Sequence, residues 1–328
     1  MTLQELIRDS HVQGIILHPE DDKSVWLSDL DRFLSGDTSL TRNSAGEAGI
    51  RAVQRLLVFL GYSTSSNGAF LIDGDFGRGT NRAVAQFQVE NRLSRSIKRH
   101  HLCYPCRWNT AKSLITTIPD ARLTPATLEM LLVTAIRRIE SGHIMTGHFD
   151  TAIFHLNAVD RRQGLDCRAI LSRYGDIAIE VSQKIYEEFS KLVRPEWILA
   201  IIRQETAGVI RPRFEQHYLS KLNDAHPGED LEELRMQSMS MGLGQIMGAN
   251  YKRVGAVTAT ELFTAPVARQ VEFVARFLRL KEDVVKKTNP NKDDFHRLAK
   301  YYNGPKYAAH HYHEKLARWH REFRLLMN

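Results

Sequence analysis

A chain of 328 residues that is 43% hydrophobic and 25% charged has the composition of a globular protein, with room for two domains or one large domain and an appendage. No apolar run approaches the ~20 residues of a membrane-spanning helix, and three cysteines exclude a disulfide framework. Forty-five Lys and Arg against 38 Asp and Glu leave a net +7, which favours polyanionic surroundings such as nucleic acid, anionic membrane or anionic wall polymer.

The start, MTLQELIRDSHVQGIILHPEDD, has neither a basic n-region nor an apolar h-region. It predicts synthesis in the cytoplasm, with export only by separate machinery. Residues 1–44 hold short amphipathic pieces and run into a polar stretch, SGDTSLTRNSAGEAG. In AGIRAVQRLLVFLGY the residues Ile50, Val53, Leu56, Leu57 and Leu60 make one helical face, with Gly61 as its stop. LIDGDFGRGTNRAVAQFQVENRL follows, with Asp73-Gly74 and Gly77 as turn residues, Thr80 as a helix cap, and Val84 and Phe87 facing inward. A basic insertion carries His100, His101, Cys103 and Cys106. Adjacent histidines suit zinc poorly, so a surface loop or a redox pair is expected there. A third helix opens with Thr124 as cap and Pro125 at its first position, and presents Leu128, Leu131, Leu132, Ala135 and Ile139.

The turn Asp-Gly-x-Phe-Gly-x-x-Thr at 73–80, followed by Ala-Val-x-x-Phe-Gln at 83–88, resembles the three-helix peptidoglycan-binding domain found beside bacterial wall-degrading enzymes. The resemblance covers residues 45–140, and the insertion from Ser94 to Ser113 departs from its compact pattern. The Asp, Gly and Phe positions read as structural, not as ligand contacts. Residues 141–169 read as a linker, although the stretch 145–190 reads as mostly helical. Asp166 then caps a long helix bearing Ile170, Tyr174, Ile177, Val181, Ile185 and Phe189.

Pro195 opens the next helix, whose apolar face is Ile198, Ile201 and Ile202. The next residue on that face is Glu205. Desolvation there favours the protonated carboxyl, which is what a general acid for glycoside cleavage requires. A buried glutamate tied to Arg203, Arg211 or Arg213 is the bland alternative. Gly208 and Pro212 end the helix, which puts Glu215 on a separate element and makes it a candidate second carboxylate. In an extended strand His217 would share its face, and a plain surface glutamate is again the alternative. In SMSMGLGQIMGANY, at 238–251, Gly242 and Gly244 bracket Leu243, so backbone can lie close to a polar polymer there or close a turn onto a buried helix.

Glu-Thr-Ala-Gly at 205, MGLGQIM at 241 and AKYYNGPKY at 299 stand in the order that resembles the lysozyme superfamily of goose-type lysozymes and lytic transglycosylases. FEQHYL, SMGLGQIMGANYKRVG and QVEFVARFLR are more closely similar to the N-acetylmuramidase domain of phage endolysins and related bacterial toxins. This resemblance spans residues 170–328 and implies a mainly α-helical lysozyme-like domain. It also implies cleavage between N-acetylmuramic acid and N-acetylglucosamine, with no cofactor. Gln245 would then touch substrate amides or hydroxyls, and Tyr302 and Asn303 would hold the scissile sugar near the acid. Met241 stands where the endolysins commonly carry Trp. His310, His311 and His313 invite a metal reading, but an exposed helix is expected. The expected partner is peptidoglycan, reached through a phage holin or a secretion system, the latter implying an immunity protein. Nucleic acid and membrane insertion are not expected. The alternatives are a lytic transglycosylase and, in another class, an inactive wall-binding structural protein.

Overall fold

The computed structural model describes residues 2–36, 46–93, 95–97, 116–118, 121–226 and 228–328. It is mainly α-helical, and the chain divides into two compact units, one of Met1–Arg162 with Pro212–Ser240 and one of Gln163–Arg211 with Met241–Asn328. Among the described residues no helix is long and apolar enough to cross a membrane.

In the first unit the helix Glu47–Phe59 is buried on all sides. Its apolar face is the one the sequence marks, but Gln54 and Arg55 are buried as well, because helices pack around it from several directions. Gln54 accepts from the amides of Asp73 and Gly74, each at 2.9 Å, and so fixes the Asp-Gly turn. Its Nε2 donates to Asp73 Oδ1 at 2.9 Å and to Thr80 Oγ1 at 3.0 Å. Thr80 is therefore not a cap: Gly77 is the N-cap of the helix Arg78–Glu90, and Thr80 lies inside its first turn. The buried turn amide needed a partner, and the threonine hydroxyl was recruited to Gln54. Val84 and Phe87 are fully buried. Thr124 caps Pro125–Glu140 through the amide of Thr127.

Residues 2–36 and 141–162 also contribute packed helices to this unit. Trp26, Leu30 and Phe33, on the helix Lys23–Leu34, are buried. The segment read as a linker contains the helix Phe149–Asp160, with Leu156 buried. Arg55 explains why it docks. Its guanidinium, 1% exposed, donates to Asp160 Oδ2 at 2.6 Å, to the Ile15 carbonyl at 2.6 Å and to Asn157 Oδ1 at 2.7 Å. A buried charge is tolerated only with such partners, so the three segments are held as one body. Within the insertion, Arg95–Ile97 pairs antiparallel with Thr116–Ile118. His100, His101, Cys103 and Cys106 lie outside the described residues.

The second unit is built around the helix Pro195–Thr206, which packs on Cys167–Phe189, Val267–Leu278 and Tyr312–Met327. Residues 197–202 are wholly buried, so this helix is the axis of the unit. Asp166 caps Cys167–Phe189 as its sequence indicates, accepting from the Ala169 amide at 2.8 Å. Ala207 and Gly208 end the axial helix with φ of 48° and 72°. Tyr174 donates to the Gly208 carbonyl at 2.7 Å, and a Cβ on Gly208 would lie 2.9 Å from Ile170, so only glycine fits.

Candidate active site

Glu205 occupies the last turn of the axial helix, half-buried, on the face that continues Ile198, Ile201 and Ile202. Burial pushes its carboxyl up to about 7, against the opposing effect of the Tyr312 hydroxyl, which donates to Oε1. Burial and the nearby Glu205 charge hold the Tyr312 hydroxyl well above the usual phenol range, so it remains a donor. The arginines that could have neutralised Glu205 are engaged elsewhere. Arg203 lies 4.4 Å over the Trp319 ring, Arg211 donates to the Gln163 carbonyl, and Arg213 pairs with Glu215.

The segment after Met241 is tied to this helix end. Thr206, next to the acid, donates toward the Leu243 carbonyl at 2.9 Å and the Ile202 carbonyl at 3.0 Å. Tyr302, on the helix Lys292–Asn303, donates to the Gly244 carbonyl at 2.8 Å. A Cβ on Gly244 would fall 2.6 Å from Tyr302 Oη and 2.6 Å from Val274 Cγ2. The glycine thus lets the turn close onto the helices that carry Tyr302 and Val274, the second of the two readings the sequence allowed. Gln245 takes a left-handed φ of 48°, and its Nε2 reaches the Gly242 carbonyl at 3.3 Å. Burial and the charge of Glu205 both raise the Tyr302 hydroxyl well above its ordinary value. Asn303 ends its helix on the exposed surface. Glu205, Tyr302, Gly244 and Tyr312 therefore belong to one connected set of contacts.

Glu215 belongs to the first unit. It is half-buried at the N-cap position of the helix Gln216–Ala225, directly after the short strand Arg213–Phe214. Arg213 Nε lies 3.0 Å from its Oε1 and His217 Nδ1 lies 3.7 Å from its Oε2. His217 is in the first turn of a helix, not on a strand. The strand closes after Phe214 because Glu215 turns its backbone to start the helix.

Two histidine expectations need correction. His313 is not exposed: it is 9% accessible and stacks on His296 at 4.0 Å between ring centroids. His311 is the N-cap of Tyr312–Met327 and His310 ends the short helical turn before it, so the three do not share a face. Among the described residues no group of three His, Cys, Asp or Glu is placed to hold a metal. Tyr312 was missed by the sequence reading. Its signal was the buried stripe Tyr312, Leu316, Trp319 and Phe323, which carries one phenol whose hydroxyl needs a partner.

Two family models match the chain. Residues 212–324 match N-acetylmuramidase, and residues 46–96 match a "Putative peptidoglycan binding domain". The first match covers Glu215, Gln245, Tyr302, Asn303 and Tyr312, and begins after Glu205. No curated protein matches the chain. Among solved structures, the crystal structure of Burkholderia AP3 phage endolysin is similar at 17% identity over 84% of this chain and 95% of that one, with a TM-score of 0.35.

Proposed function

We propose that the chain, whose residues 212–324 match N-acetylmuramidase and whose residues 46–96 match a peptidoglycan-binding domain, is a lysozyme-type peptidoglycan hydrolase that cuts between N-acetylmuramic acid and N-acetylglucosamine. The wall-binding part is assigned to residues 45–140 and the catalytic part to residues 170–328. Glu205 donates its proton to the leaving glycosidic oxygen. The observation that carries this is a carboxyl held up to about 7 by burial, with a tyrosine rather than an arginine as its partner. Such a group keeps its proton on about half of the molecules near neutral pH and is acidic enough to give it away.

Glu215 is assigned the second carboxylate role, activating water or stabilising the oxocarbenium-like transition state. Gln245, Tyr302 and Asn303 are assigned to substrate, with Tyr302 also fixing the Gly244 backbone beside the acid. No cofactor takes part in this scheme. The protein acts on the wall after delivery by a phage lysis system or a bacterial secretion system, and in the second case an immunity protein would accompany it.

Digestion of purified peptidoglycan, followed by mass spectrometry of the products, tests the scheme. Ordinary reducing ends on N-acetylmuramic acid are expected, with nearly all activity lost in Glu205→Gln. Glu215→Gln should lose ~100-fold, the scale of a positioned acid–base group. Anhydro-muramic ends, lighter by one water, together with an active Glu215→Gln enzyme would replace hydrolysis by transglycosylation.

A further inference from the structure

The two-residue strand that delivers Glu215 is gripped from both edges. On one edge Arg213 and Phe214 pair antiparallel with Ser240 and Met239, and the Glu215 amide donates to the Ser238 carbonyl at 2.9 Å. On the other edge the Phe214 amide donates to the Gly68 carbonyl at 2.9 Å, and Arg213 forms a bridge with Ala69. Gly68 and Ala69 lie inside the segment matched to the peptidoglycan-binding domain. Gly68 has a φ of +88°, and a Cβ there would fall 2.0 Å from the Phe214 carbonyl oxygen.

Side chains of the same domain complete the grip. Arg82 lies 5.3 Å over the Phe214 ring while donating to the Ser65 carbonyl at 2.7 Å and the Ser63 hydroxyl at 3.1 Å. Further along, Arg235 is 1% exposed and donates to Glu90 Oε1 at 2.8 Å, with its guanidinium 4.0 Å over Tyr62. Tyr62 itself donates to Glu90 Oε2 at 2.6 Å. Glu90 and Tyr62 are again residues of the peptidoglycan-binding match. A two-residue strand has no stability of its own, and a buried arginine without its carboxylate is strongly destabilising.

We propose that the peptidoglycan-binding fold is the positioning scaffold of Glu215, with Gly68 and Arg82 as positioning residues, so that this domain contributes to turnover and not only to anchoring. The inference rests on the role assigned to Glu215 above. A reacting carboxylate must be held to within about 0.5 Å, and the segment 213–215 obtains that rigidity from Gly68, Ala69 and Arg82 on one side and Ser238–Ser240 on the other.

The test uses the full chain with Gly68→Ala and Arg82→Ala, each with and without Glu215→Gln. Two quantities are read: hydrogen exchange at the Phe214 amide, and kcat and KM on soluble glycan strands stripped of peptide, where anchoring to insoluble wall does not count. Both single variants should speed exchange at Phe214 and lower kcat by about 10-fold with KM nearly unchanged, the effect of a misplaced reacting group. In the presence of Glu215→Gln they should cost nothing further. Unchanged exchange at Phe214 in both variants overturns the scaffold. So does an equal loss of kcat with and without Glu215→Gln. Faster exchange alongside a fully active Glu215→Gln enzyme supports the scaffold and refutes only the role given to Glu215. Arg82 is half-exposed, so Arg82→Ala keeps the test alive should Gly68→Ala fail to fold.

Discussion

Glu205 gives two pH dependences of opposite use. As the proposed acid it works only when protonated, so kcat/KM should fall as pH rises through about 7. Tyr312 donates to the carboxylate and thereby lowers its pKa, so Tyr312→Phe should move that alkaline limb to higher pH. A limb that stays put in a pH–rate profile of Tyr312→Phe would show that another group sets it. Stability follows the linkage. The folded carboxyl titrates near 7 and the unfolded one near 4.5, so the folded state binds the proton more tightly. Below 4.5 both states are protonated and nothing is lost, whereas stability declines as pH rises from there through 7. Glu205→Gln removes the titration, so its melting midpoint should exceed the wild-type midpoint by a few degrees at pH 8 and approach it at pH 4. Melting curves at the two pH values check this.

At the scale of the element, the turn at Gly242–Gln245 is shaped by what touches it. Leu243 is fully buried, its carbonyl is taken by Thr206, and the next carbonyl is taken by Tyr302. Gly244→Ala would place a methyl group 2.6 Å from both Tyr302 Oη and Val274 Cγ2, so the turn or these two side chains must shift. Activity on purified wall should fall ~10- to 100-fold, the range for a small displacement at a reacting centre. Tyr302→Phe removes one hydrogen bond without the clash and should cost less. Turbidity clearing by the two variants ranks them, and a reversed order would mean that the contact of Tyr302 with substrate outweighs its hold on the turn.

At the scale of the molecule, the segment Pro212–Ser240 is sequence-distant from the fold it packs with. A fragment of residues 170–328 would leave Phe214 without Gly68 and Arg82, and Arg235 without Glu90. That fragment is expected to be poorly soluble or to bind a hydrophobic dye, and to be far less active per molecule than the full chain on soluble glycan. A well-behaved, fully active fragment would show that the segment folds without its partner. The full chain carrying Glu205→Gln, in which Arg55 keeps Asp160, should sediment with insoluble peptidoglycan better than an unrelated basic protein of similar charge.

Local chemistry was legible along the chain: the caps at Thr124 and Asp166, the buried faces of the major helices, and a carboxyl on an apolar face at Glu205. These depend on residues within one or two turns of each other, so periodicity and spacing carry them. The motif order carried the two domain families as well. Only the tertiary structure decided the rest. Thr80 became a partner of Gln54, and the helix Phe149–Asp160 was docked onto the first unit because Arg55 needed Asp160. Tyr312 was brought to Glu205 from 107 residues away. The strand Arg213–Phe214, just before Glu215, was paired with Gly68 and Ala69 and covered by Arg82. The physical reason is common to all four. A buried polar group or a short strand must find a partner, and the partner that satisfies it is chosen by proximity in space, which spacing along the chain does not encode.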